Sequence, residues 1–183
     1  LRPPGPHLPL HRGGLAAGIR RVVCALEDPD PRVKGRGIAR LRAASLQVEV
    51  GLAREEAERQ NAAYLKHRRT GLPLLILKLA QSLDGRIATA AGDTRWISGE
   101  QARTLVHRWR SWADGVMVGA GTVLADDPQL DVRLVRGRSP RPLVVDGRLR
   151  VSPQAHVFQR AGAVLVTAQS APAKIRRAFE AQG

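Results

Sequence analysis

The stretch Gly115-Val116-Met117-Val118-Gly119-Ala120-Gly121-Thr122 decides the architecture. Residues 115–119 read as a buried strand, and the Gly-x-Gly-Thr that follows reads as a turn leaving its carboxyl end. Glycines at that point let backbone amides approach a phosphate or pyrophosphate, with the Thr122 hydroxyl as a further donor. An ordinary turn has the same signature. The three glycines of the full dinucleotide fingerprint are absent, which disfavours a plain Rossmann domain.

Upstream, Ser98-Gly99-Glu100-Gln101 has the form of a capping box, with the Ser98 hydroxyl answering the Gln101 amide, so a helix is predicted to start there. On that helix Ala102, Leu105, Val106, Trp109 and Ala113 share a stripe expected to face a sheet, while Arg103, His107 and Arg110 share another. Downstream, 143–145 and 164–167 read as further strands and 172–181 as a closing helix. Alternation of strand and helix points to an α/β layer.

Further upstream, 74–80 reads as a buried strand, and Ser82-Leu83-Asp84-Gly85-Arg86 carries the Asp-Gly of a tight turn. Before it lie a strand at 22–26, a turn at 27–31, a helix at 37–44, a strand at 46–50 and a helix at 54–68, stopped by Thr70-Gly71-Leu72-Pro73. Residues 1–12 hold four of the twelve prolines and show no periodicity.

At 183 residues, with 43% hydrophobic and 25% charged, the chain has enough apolar surface for a folded core. No run of apolar residues is long enough to span a bilayer, so no membrane partner is expected. The opening residues resemble neither a signal nor a transit peptide, and the reading is cytoplasmic. The single cysteine, Cys24, excludes an internal disulfide and any multi-cysteine zinc site, and its apolar neighbours make it a buried thiol.

The net charge of +14 raises the question of nucleic acid. It comes from 26 arginines and 4 lysines scattered without a cluster, and aromatic residues are only 3%, so stacking platforms are scarce and no nucleic acid partner is expected. His7, His11, His67, His107 and His156 never fall at a metal-binding or catalytic spacing, and no Gly-x-Ser-x-Gly elbow occurs. Arg110 and Arg133 are candidates for gripping an anionic substrate, since a guanidinium binds phosphate bidentately. Asp126-Asp127-Pro128 either caps a turn or orders a ligand loop.

Three ordered blocks carry a resemblance. They are Leu77-Lys78-Leu79-Ala80-Gln81-Ser82-Leu83-Asp84-Gly85-Arg86-Ile87-Ala88, then Gly92-Asp93-Thr94-Arg95-Trp96-Ile97-Ser98, then Gly121-Thr122-Val123-Leu124-Ala125-Asp126-Asp127-Pro128 with Leu130-Asp131-Val132-Arg133. Together they resemble the reductase domain of bifunctional riboflavin-biosynthesis deaminase/reductases. Glu27 to Pro31, Lys34 to Gly37 and Val48 to Gly51 resemble the closing part of that family's deaminase domain.

The resemblance implies a partial cytidine-deaminase-like α/β layer followed by the N-terminal half of a dihydrofolate-reductase-like domain with a central mixed sheet. The divisions it implies are 1–12 irregular and frameshifted, 13–72 a deaminase remnant, and 73–183 the first half of the reductase. The frameshift reading comes from Pro6 to Gly13, which match a shifted frame of the family's cysteine-bearing segment.

It further implies NADPH as cofactor, and reduction of the ribosyl group of 5-amino-6-(5-phosphoribosylamino)uracil to a ribityl chain. Ala80, Trp96, Thr122, Asp126 and Gly147 match cofactor-contacting positions, relatives often having serine at the last. Thr94, Arg110, Leu130 and Arg133 match positions contacting the phosphorylated pyrimidine substrate. No catalytic acid or base is implied. The family's deaminase zinc ligands are absent from this chain, so its deaminase activity is expected to be lost. A homo-oligomer, an inactive remnant or scaffold, and a related pyrimidine or pterin reductase stay open.

Overall fold

The computed structural model describes residues 18–92 and 97–181 of the chain. They form two compact units, with the division between Lys78 and Leu79. The expectations for 1–12, Thr94 and Trp96 lie outside the described residues.

In the first unit, β1 (Arg21–Cys24) and β2 (Gln47–Val50) pair in parallel, Arg21 opposite Gln47 and Cys24 opposite Val50. The connection carries α1 (Arg36–Ala43), which buries Leu41. Helices α2 (Arg54–Gln60) and α3 (Ala62–Thr70) follow, and α3 buries Leu65. The single helix expected at 54–68 is broken at Asn61, which leaves helical geometry at φ −102° and ψ 15°. Cys24 is half-buried rather than buried.

Acidic residues hold the turn before α1. Asp30 is buried and accepts from the backbone N–H of Arg32 at 3.0 Å and from its guanidinium, with Arg68 of α3 3.4 Å away. Asp28 accepts from the Tyr64 hydroxyl at 2.8 Å, so the turn is fastened to α3 at two points. The hydrogen bonds from Arg32 hold the Asp30 carboxyl well below the ordinary carboxylate range.

The second unit is built on three parallel strands, β3 (Gly115–Gly119), β4 (Arg141–Val145) and β5 (Val164–Val166), in that spatial order. Every strand pair among the described residues is parallel. Helix α4 (Glu100–Trp112) precedes β3, α5 (Ala120–Asp126) follows it without a gap, and α6 (Ala173–Glu180) closes the described chain. Ala120, Val123, Leu130, Val144, Val151 and Val157 form the core, each almost wholly removed from water. Phe158 packs edge-to-face on Phe179 of α6 at 5.1 Å between centroids.

Three further expectations are corrected. Residues 74–80 form no strand, and Leu75, Ile76 and Leu77 are 74–84% exposed. An apolar run favours a strand only where a neighbour accepts its backbone hydrogen bonds, and no strand among the described residues pairs with this one. Ser98 does not cap α4: the cap is Gly99, without a side-chain bond, which moves Gln101 one place too early for the reciprocal bond. The carbonyl of Ser98 accepts instead from the Arg103 guanidinium at 2.8 Å.

The third correction is the face of α4. Leu105 and Trp109 are exposed, whereas His107 is buried and Arg110 half-buried. The polar stripe is the packed one because the chain after α5 runs across it. Gly137 marks the closeness of that approach: a Cβ there would lie 2.5 Å from the Cβ of Ser111 on α4.

Candidate substrate and cofactor site

The segment 129–133, between α5 and β4, has no ladder to satisfy its backbone, and side chains from elsewhere do so. Arg160 donates to the carbonyls of Gln129 at 3.5 Å and Leu130 at 3.3 Å, and also to Pro140 at 3.3 Å. Arg110 donates to the carbonyl of Asp131 at 3.3 Å. The N–H of Val132 donates to the Ser139 hydroxyl at 2.9 Å, and that of Arg133 to Nδ1 of His107 at 3.2 Å. Five consecutive residues are therefore held by four side chains.

This arrangement brings three of the expected substrate positions together. Leu130 is buried in the core, in the left-handed region at φ 53°, a strain that the Arg160 bonds and its packing offset. Arg110 and Arg133 meet across Asp131, which offers its carbonyl to the first and its carboxylate to the second. Burial pushes the Arg110 pKa down, Arg133 adds repulsion and Asp131 opposes both; the guanidinium stays cationic. Arg133 is exposed, so a cation faces solvent beside a half-buried one.

The expected cofactor positions fall elsewhere in the unit. Thr122 and Asp126 lie on α5, which starts at the carboxyl end of β3. Gly147 follows the carboxyl end of β4, and its carbonyl accepts from Ala168 N–H just beyond β5. In parallel sheets, ligands bind in the crevice outside those ends. Ala80 is half-buried in a segment without regular structure.

Asp146, buried beside Gly147, shapes the turn. Its carboxylate accepts the N–H groups of Arg148 at 3.3 Å, Arg150 at 2.6 Å and Val151 at 2.8 Å. At Gly119, Gly121 and Gly147 a Cβ would meet nothing within 4 Å, and none of the three has a positive φ. Neither conformation nor internal packing demands glycine there. Bare backbone beside open space fits the approach of a phosphate-bearing cofactor.

His107, Asp131, Asp146, Ser139 and Arg160 escaped the sequence reading as site residues. His107 carried one usable signal, sharing the stripe of Arg110. The others carried none, because their partners lie on segments whose meeting no local pattern records. Among the described residues no three or more His, Cys, Asp or Glu are grouped to hold a metal ion, and no helix is long and apolar enough to cross a membrane.

Residues 73–180 match the family described as RibD C-terminal domain. The chain belongs to the RibD C-terminal domain family. Among its relatives, riboflavin biosynthesis protein RibD of Escherichia coli strain K12 is 41% identical over 161 residues, covering 81% of this chain and 44% of that protein. The RibD protein of Bacillus amyloliquefaciens is 43% identical over 145 residues, covering 79% and 39% respectively. The chain thus spans less than half the length of these RibD relatives.

Solved structures agree. The Thermotoga maritima diaminohydroxyphosphoribosylaminopyrimidine deaminase/5-amino-6-(5-phosphoribosylamino)uracil reductase superposes with a TM-score of 0.81 at 30% identity, over 98% of this chain and 56% of that one. Acinetobacter baumannii RibD gives 0.78 at 31% identity, over 99% and 57%. The α/β architecture with parallel strands is that of RibD reductases.

Proposed function

We propose that this chain carries part of an NADPH-dependent reductase of riboflavin biosynthesis, acting on the ribosyl group of 5-amino-6-(5-phosphoribosylamino)uracil. One observation carries the reading: within a RibD C-terminal domain, the chain's own contacts draw Arg110 and Arg133 together around Asp131. Two guanidiniums that share Asp131 as a partner suit a phosphate monoester, which each can grip with paired hydrogen bonds. The closing deaminase segment is the corresponding reading of residues 13–72, and 73–183 form the reductase part. With one cysteine in the chain, the pair of cysteines a deaminase zinc would need is absent here.

NADPH, when bound, supplies a hydride to C1′ of the ribose. The protein's share is placement. Gly119, Gly121, Thr122 and Gly147, near the carboxyl ends of β3 and β4, would hold the cofactor together with Asp126 of α5 and, on the family resemblance, Ala80 and Trp96. Arg110, Leu130 and Arg133, with Thr94, would hold the substrate. The buried Leu130 and the clamped backbone beside it fix the substrate loop before ligand arrives, so little ordering is left for binding to supply. A cytoplasmic setting and a homo-oligomeric assembly belong to the same proposal.

A second reading, an inert remnant or scaffold, draws on the exposure of Leu75, Ile76 and Leu77. Thermal unfolding with and without NADPH separates the two. A cooperative transition raised by NADPH, with NADPH consumed when the phosphoribosylamino-uracil is added, supports the reductase. A transition indifferent to NADPH supports the remnant. Binding of NADPH with turnover only of another pyrimidine or a pterin would reassign the substrate.

A further inference from the structure

His107 is a buried titratable side chain that the proposed reaction leaves unused. It lies on α4 one turn before Arg110, within electrostatic reach of both arginines, and Nδ1 accepts from the backbone N–H of Arg133. An imidazole that accepts at Nδ1 carries its proton on Nε2 and is neutral. Asp131 neutralises the Arg133 side chain but belongs to the same loop, so that ion pair does not fasten the loop to the helix. Two bonds do so: Arg110 to the Asp131 carbonyl, and Arg133 N–H to His107.

We propose that His107 is a positioning residue, its Nδ1 latching the Arg133 backbone to α4 and thereby setting the separation of the two arginines. The proposal rests on the reading of those arginines as the substrate's anion grip. The charged groups around the ring are Arg110 on its own helix and Arg133 and Asp131 on the loop. Burial first, then the two guanidiniums, push the His107 pKa below its ordinary 6.5, while Asp131 opposes them. Above 6.5 the latch is closed, and it opens as pH falls through the depressed value. A protonated ring has no acceptor at Nδ1 and adds a third cation to the pair.

The test compares the whole chain with H107N and H107F. Asparagine keeps an acceptor oxygen near the place of Nδ1 and does not titrate; phenylalanine keeps the ring and has no acceptor. The first readout needs no ligand: the NMR shift of the Arg133 amide from pH 8 to pH 5. The wild type should lose the hydrogen-bonded shift in step with His107 protonation, H107N should hold it throughout, and H107F should lack it at every pH.

The second readout is affinity for ribose 5-phosphate at pH 7.5. H107F should bind about five- to tenfold more weakly, the equivalent of one lost backbone hydrogen bond, with H107N close to wild type. The phosphate itself titrates near pH 6, so the diagnostic quantity is the acid weakening of the wild type beyond that of H107N. An Arg133 amide unchanged in H107F, or identical pH profiles for wild type and H107N, would overturn the latch. Failure of the wild type to bind ribose 5-phosphate, or binding by R110A and R133A as tight as that of the wild type, would sink the anion-grip reading, and the amide shift would still decide the latch.

Discussion

Replacing Asp146 by alanine tests how the turn beside Gly147 is held. The carboxylate is 2% exposed and accepts three backbone N–H groups, two of them at 2.6 and 2.8 Å and the third, longer, at 3.3 Å. A hydrogen bond to a charged acceptor contributes about 1.5 kcal/mol at the lower end of its range, and the 3.3 Å bond contributes little. Alanine should therefore destabilise the second unit by about 3 kcal/mol, a large share of an ordinary domain's stability. Asparagine, by turning its amide oxygen toward Arg150 and Val151, keeps the two short bonds and should cost about 1 kcal/mol. All three tryptophans lie after Lys78, and the one tyrosine before it, so tryptophan fluorescence in urea reads the second unit alone. A D146A midpoint within the error of wild type, or equal losses for D146A and D146N, would refute the assignment of the turn to this carboxylate.

Further outcomes are expected. R110A and R133A should each weaken ribose 5-phosphate binding by roughly ten- to a hundredfold in titration calorimetry, since each loses charge-assisted bonds. G121A should raise thermal stability, by about 0.5–1 kcal/mol, because alanine is the better helix former at a site with open space around it, while NADPH affinity measured by fluorescence falls. The first unit should be acid-sensitive through Asp30: the Arg32 bonds depress its pKa, so its contribution is full above 3.8 and is lost as pH falls through the folded value. Tyrosine fluorescence followed down in pH should show that loss in wild type and not in D30N. His107 shifts downward as well, so the stability it confers is full above 6.5 and declines below it, which tryptophan-detected urea curves at pH 7.5 and 5.5 should resolve.

Local chemistry was legible where it needed no partner. The strand at 115–119 follows from its apolar run, and the closing helix expected at 172–181 lies at Ala173–Glu180. The arginines were legible as candidates because guanidinium chemistry is intrinsic to the side chain. What failed depended on neighbours. Leu74 to Ala80 has every local property of a strand, yet a strand exists only as half of a ladder. The stripe of Leu105 and Trp109 is truly apolar, but periodicity says which residues share a face and not which face is covered. The loop from 129 to 133 chose the face, through contacts to His107 and Arg110 some twenty residues away. Helix α5 was hidden by Gly119 at its cap and Gly121 in its first turn, where a glycine costs least.

The clamp on 129–133 also separates shape from composition. Its backbone is anchored by His107, Arg110, Ser139 and Arg160, none of which belongs to it, whereas Gln129 and Val132 hold nothing in place through their own side chains among the contacts described. A relative could change what this loop presents to a ligand without altering its path, provided those four anchors stay. Transplanting the five residues alone into another scaffold would carry their side chains across and leave their conformation behind.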